Sequence, residues 1–192
     1  MRRWSLLGWL AAVSLLAAQA HASSALDINI NNDAAFAGLT WGMGDDNLIG
    51  EGQFYYNTED AYVGSIGLLV IGETGQTDNP VEAGIGAKII GAYGNTDSSF
   101  FGFAVSPGVS LRVYPPEANR LVLGLNVNFA PEVVSFGDAK SLVETSARIE
   151  YLLIPQAFAY LGYRRLAVTD DRDDESYVLD SGIHIGVRML FQ

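Results

Sequence analysis

Cysteine is absent from all 192 residues, which removes disulfides, thiolate metal centres and lipid attachment at an N-terminal cysteine from consideration. Basic residues are scarce as well: 11 Lys and Arg stand against 22 Asp and Glu, a formal net charge of -11. So acidic a chain is a poor partner for nucleic acid, whose phosphates need positive surface. Charge of either sign is thin, at 17% of residues, where soluble domains carry about 25%. Histidine occurs twice, at His21 and His184, so a transition-metal site is not expected and no cofactor is implied. Beyond the first 22 positions no long apolar period of the helical kind is present either, and an all-β chain is expected.

What the chain does have begins with "MRRWSLLGWLAAVSLLAAQAHA". Two arginines, an apolar run from Leu6 to Ala18 and a small-x-small ending read as a secretory signal peptide over residues 1–22, with the mature chain starting at Ser23. The run is shorter than the roughly 20 residues a helical membrane span needs. Arg2 and Arg3 are followed by Trp4 and Ser5 and lack the rest of a twin-arginine motif, so ordinary export is expected. Loss of both arginines takes the net charge from -11 to -13. Residues 23–192 hold no linker or low-complexity stretch, so they form one domain.

Within that domain, alternation of period two recurs in ten segments: 25–31, 35–42, 48–57, 61–71, 81–93, 100–114, 120–130, 142–153, 157–168 and 177–191. Several exceed the usual globular strand of about 5 or 6 residues and approach the 9 to 11 or so that cross a bilayer at a tilt. In "SGIHIGVRMLFQ", Ile183, Ile185, Val187, Met189 and Phe191 alternate with Gly182, His184, Gly186 and Arg188. In "LVLGLNVNF" Leu121, Leu123, Leu125, Val127 and Phe129 oppose Val122, Gly124, Asn126 and Asn128. The less apolar side is built of glycine, serine and alanine, with 21 glycines in the chain, where a solvated sheet face would carry lysine and glutamate. Small residues suit the concave wall of a narrow cylinder. The expected fold is therefore a transmembrane antiparallel β-barrel of about ten strands, apolar outside and small or polar within, closed so that no strand edge is left unpaired in lipid. A soluble lipocalin-like barrel or sandwich is the competing fold, and it would bury the large apolar face instead.

On this register Asp27, Glu51, Glu82, Lys88, Arg112, Arg120, Glu144, Arg148, Glu150, Arg164, Asp180, His184 and Arg188 point into the lumen. Mixed charges in so small a space are expected to pair, forming either a plug of ion pairs or a constriction that selects small solutes. Ten strands lie near the filled end of the barrel size range, so a wide channel is not expected. Trp41, Tyr56, Tyr93, Tyr151 and Tyr163 near strand ends suit interfacial girdles. The acidic group Asp170, Asp171, Asp173, Asp174 and Glu175 lacks the glycine spacing of an EF-hand loop and is taken as a solvated loop.

The last third, "SARIEYLLIPQAFAYLGYRRLAVTDDRDDESYVLDSGIHIGVRMLF", resembles the corresponding region of the YfaZ-type outer-membrane proteins, a family of small bacterial barrels. The likeness is clearest in "YLGYRRLAV", the acidic loop after it and "IGVRMLF", and extends more loosely to about Ser23. It implies a β-barrel in the outer membrane of a Gram-negative cell, and no catalytic residues. Phe191 resembles the terminal aromatic by which barrel-insertion machinery recognises its clients, although Gln192 follows it. Expected partners are outer-membrane lipids and lipopolysaccharide, with that machinery during biogenesis, and a monomeric barrel. The expected role is structural or a narrow, porin-like pore for small solutes. Two other classes compete: a lipid-modifying enzyme using His184, with Ser146 and Glu144 or Glu150 as partners, and a soluble periplasmic ligand-binding barrel.

Overall fold

The computed structural model describes residues 24–58, 61–74, 80–95, 99–171 and 175–191. The segment read as a signal peptide, and Asp173 and Asp174 of the acidic loop, lie outside the described residues.

Among the described residues eleven strands follow one another: β1 (Ser24–Ile30), β2 (Ala34–Met43), β3 (Asp45–Asn57), β4 (Ala61–Thr74), β5 (Val81–Asn95), β6 (Ser99–Val113), β7 (Leu121–Ala130), β8 (Ser135–Gly137), β9 (Ala139–Ile154), β10 (Ala157–Asp170) and β11 (Ser176–Phe191). Each long strand pairs antiparallel with its neighbours, and β11 pairs with β1 from Phe191 opposite Ser24 to Ile185 opposite Ile30. The seam closes a ten-stranded barrel, and β8 adds a short extension alongside β6. The ten expected strands are therefore present, several of them longer than expected.

Two connections differ from expectation. The five residues between the expected segments 35–42 and 48–57 shrink to a turn at Gly44, whose φ of +79° suits a residue without a Cβ. The long connection "PEVVSFGDAKS" is not a plain loop. It contains one 3-10 turn (Glu132–Val134), then β8, and β9 starts at Ala139 rather than Leu142.

The side-chain parity follows the period-two pattern. Ile183 is 68% exposed and Ile185 60%, whereas His184 between them is buried. Leu123, Phe103 and Val109 are likewise exposed, so the large apolar rows face outward, as an inside-out barrel requires and a soluble barrel forbids. Tyr56, Tyr62, Tyr93 and Phe101 lie across from one another on β3, β4, β5 and β6 and form an exposed aromatic row near one end. That end, here called distal, is opposite the one holding the first residues of β1 and the last of β11.

The inner face departs from the expected small and polar lining. Across the distal half it is a packed apolar cluster that includes Val63, Ile90, Phe100, Ala104, Leu142, Leu166 and Val168. Leu166 and Val168 are each 1% exposed. The charged network fills the half nearer the termini and reaches up to Glu144 and Asp180, which stand opposite Leu166 of that cluster.

Candidate functional site

Glycines on neighbouring strands make room for the large lumen side chains. Gly162 lies opposite both Arg148 and His184, and a Cβ on it would meet His184 Nε2 at 2.6 Å. Gly186 faces Tyr160, where a Cβ would stand 2.5 Å from the ring. Gly67 leaves the same kind of space beside Lys88. The small residues of the sequence thus serve as slots into which a neighbour's ring or charged stem folds sideways.

Near the terminal end Glu150, fully buried, forms ion pairs with three arginines on three strands, Arg112 at 3.0 Å, Arg148 at 2.8 Å and Arg188 at 2.8 Å, and accepts hydrogen bonds from Arg112. Outer carboxylates balance them. Asp27 holds Arg148 at 2.7 Å, and Glu82 lies 3.6 Å from Arg112. The Tyr160 hydroxyl donates to Asp27 and accepts from Asn29 at 2.8 Å. Arg188 also stacks over Phe158 at 4.7 Å. Just past β6, Tyr114 donates to Glu82 at 2.7 Å, and burial first, then the Glu82 carboxylate, pushes its hydroxyl up to about 12.

Higher in the lumen, Lys88 donates to Glu144 at 2.6 Å, with Glu51 4.0 Å away on its other side. Tyr55 and Asn128 complete the partners of Glu144, at 2.7 Å and 3.4 Å. Arg164 binds Asp180 through Nε at 2.6 Å and through a second nitrogen, and reaches Asn29 at 3.2 Å. Its guanidinium is flanked by Tyr55 at 4.5 Å and Phe36 at 5.2 Å. Taking such charges from water is costly, and multiple charge-assisted partners offset the cost.

All but one of the thirteen residues assigned inward by alternation meet in this network or line its cavity. The exception is Arg120, which is exposed just before β7. Asn128 was placed on the inner side by its alternation, whereas Tyr55, Asn29 and Tyr160 were not singled out by sequence, although their parity is the same as that of their charged neighbours. Between the clusters lies a cavity of about 210 Å³, bordered by Asp27, Ser110, Asn126, Arg148 and His184 among others.

His184 does not meet the partners of a nucleophilic site. Its ring stands edge-on to Tyr160 at 5.8 Å, and Nδ1 is buried without a hydrogen-bond partner among the described residues. Ser146 accepts from Asn126 at 3.3 Å, while Glu144 and Glu150 are bound to Lys88 and the arginines. At the acidic loop Asp170 is buried at the end of β10, not solvated. The described residues contain no group of His, Asp or Glu able to hold a metal ion.

The model of a family described as YfaZ precursor matches residues 1–191. No curated protein matches the chain. Among solved structures, the KdgM porin is similar at 7% identity over 88% of this chain and 99% of that one, with a TM-score of 0.44. The outer membrane protease OmpT from Escherichia coli is similar at 9% identity over 88% and 93% of the two chains, with a TM-score of 0.46. A BenF-like porin from Pseudomonas fluorescens Pf-5 is similar at 9% identity over 82% of this chain and 54% of that one, with a TM-score of 0.30.

Proposed function

This chain belongs to the YfaZ family, and we propose that it is a structural outer-membrane β-barrel, closed to solutes along its axis and without catalytic activity. The observation that carries this is the apolar cluster of Val63, Ile90, Leu142, Leu166 and Val168 across the distal lumen, above the ion pairs of Lys88 and Glu150. A solute crossing the barrel must break charged pairs and then pass through packed hydrocarbon.

Placement in a membrane rests on the outward rows. Exposed Ile66, Ile85, Phe101, Leu161 and Ile183 belong to different strands around the wall, whereas soluble monomers seldom expose apolar patches beyond a few hundred Å². Outer-membrane lipids and lipopolysaccharide are then its surroundings, and the outward Phe191 at the end of β11 is a suitable mark for barrel-insertion machinery.

Planar-bilayer recording tests the closed axis. Correctly folded protein is expected to give no discrete current steps, and a variant with Ile90, Leu142 and Leu166 all changed to Ala is expected to give small ones. Regular steps from the unaltered protein would replace the closed barrel with a narrow pore for small solutes.

A further inference from the structure

Two consecutive arginines of β10 turn opposite ways. Arg164 is buried in the lumen and bound to Asp180 and Asn29. Arg165 faces outward, is exposed, and makes no hydrogen bond, ion pair or ring contact among the described residues. Every other outward position of β10 is uncharged.

Hydroxyl groups surround this cation. The register sets Arg165 directly opposite Ser181 of β11 and Thr145 of β9, and side chains so placed on one face stand about 5 Å apart. Tyr163, two positions nearer the termini on the same face of β10, holds its hydroxyl 3.0 Å from that of Ser181. Together the four residues form a polar island in an apolar wall. Leu161 and Ile183 lie next to it toward the termini, and Val143 and Val178 toward the distal end, all of them exposed.

The edge of the wall beside the island fixes its depth. β11 pairs with β1 only as far as Ile185, opposite Ile30, so from Ser176 to His184 it has no β1 partner. Unpaired backbone is not stable in hydrocarbon. The turn that ends β1 is Asn31, Asn32 and Asp33, with the last two exposed. Asn31 Nδ2 donates to Asp180, the neighbour of Ser181, at 2.9 Å. A polar turn and a free strand edge therefore meet the wall at the row of Ser181 and Arg165, where headgroups and water replace acyl chains. An arginine on a lipid-facing strand is costly at mid-depth and tolerated at that boundary, and the exposed Tyr163 is the kind of neighbour found there.

We propose that Arg165, with the hydroxyls of Tyr163, Ser181 and Thr145, binds the phosphate of a membrane lipid. A guanidinium presents paired N–H donors whose spacing matches two phosphate oxygens, and the hydroxyls are placed to donate to the others. The apolar rows explain why the phosphate is carried by a lipid. Leu161, Ile183 and Ile185 continue from the island toward the termini on the same outer face, along the path an acyl chain takes below its headgroup. This rests on the outer-membrane placement proposed above.

The test is native mass spectrometry of the folded barrel released from detergent with phosphatidylglycerol, with diacylglycerol of the same acyl chains, or with inorganic phosphate alone. Phosphatidylglycerol is expected to be retained above diacylglycerol. Arg165→Gln should lower its retention about fivefold and leave diacylglycerol unaffected, with Arg165→Lys in between because it keeps the charge and loses the fork. Retention of phosphatidylglycerol by Arg165→Gln equal to that of the unaltered protein would overturn the site and leave the membrane placement standing. Retention of neither lipid by the unaltered protein would overturn both. Arg165-dependent binding of inorganic phosphate alone would overturn the lipid as occupant. If Arg165→Gln does not fold, equal retention of the two lipids by the unaltered protein would overturn the site by itself.

Discussion

Three guanidinium groups on β6, β9 and β11 converge on Glu150, so one buried carboxylate ties together strands that are far apart around the ring. Replacing Glu150 by Ala leaves those cations facing one another without their shared acceptor. Breaking a buried ion pair from one side costs about 3 to 5 kcal/mol, and the urea midpoint of the barrel in lipid vesicles should fall accordingly. Glu150→Gln retains an acceptor oxygen and should fall less. An unchanged midpoint for Glu150→Ala would mean that the network does not hold the barrel. The charged half of the lumen was legible in the sequence where its residues alternate with large apolar neighbours, as Glu150 does between Ile149 and Tyr151 and Arg112 between Leu111 and Val113. The apolar half was not. Ile90 follows Ile89 and Leu142 precedes Val143, and where both faces are apolar the alternation disappears, so a lumen residue looks the same as a lipid-facing one.

At the scale of strands, the β1–β11 seam distinguishes a barrel from an open sheet. Ala25 is opposite Leu190 across it, and neighbouring antiparallel residues stand at a separation a disulfide can bridge. The variant carrying Ala25→Cys and Leu190→Cys should form that bond on mild oxidation, seen as a mobility change on non-reducing gels, and should resist unfolding better than its reduced form. Failure to oxidise in folded protein would mean that the seam is open. Strand number and order were readable from the recurring alternation and the turn residues between segments. The interruption between β7 and β8 was hidden, because β8 pairs through only three residues, Ser135 to Gly137, too few to show a period. A sequence mark of it is Gly137, which adopts φ +76° and leaves no room for a Cβ, which would lie 2.7 Å from the Phe101 carbonyl oxygen.

For the whole molecule, everything depends on which solvent each face meets. With hydrocarbon outside, the exposed isoleucines and phenylalanines are stable where they are, the closed ring satisfies its backbone, and the ionic groups gather where they can pair. With water outside, the same wall would be an aggregating surface. Spin labels placed singly at positions 182 to 187 of β11 in lipid vesicles test this most directly, through accessibility to oxygen, which concentrates in hydrocarbon. The labels at Ile183, Ile185 and Val187 should show high accessibility and those at Gly182, His184 and Gly186 low, a period of two along the strand. A flat profile, or one with high values at His184 and low values at Ile183 and Ile185, would contradict the account.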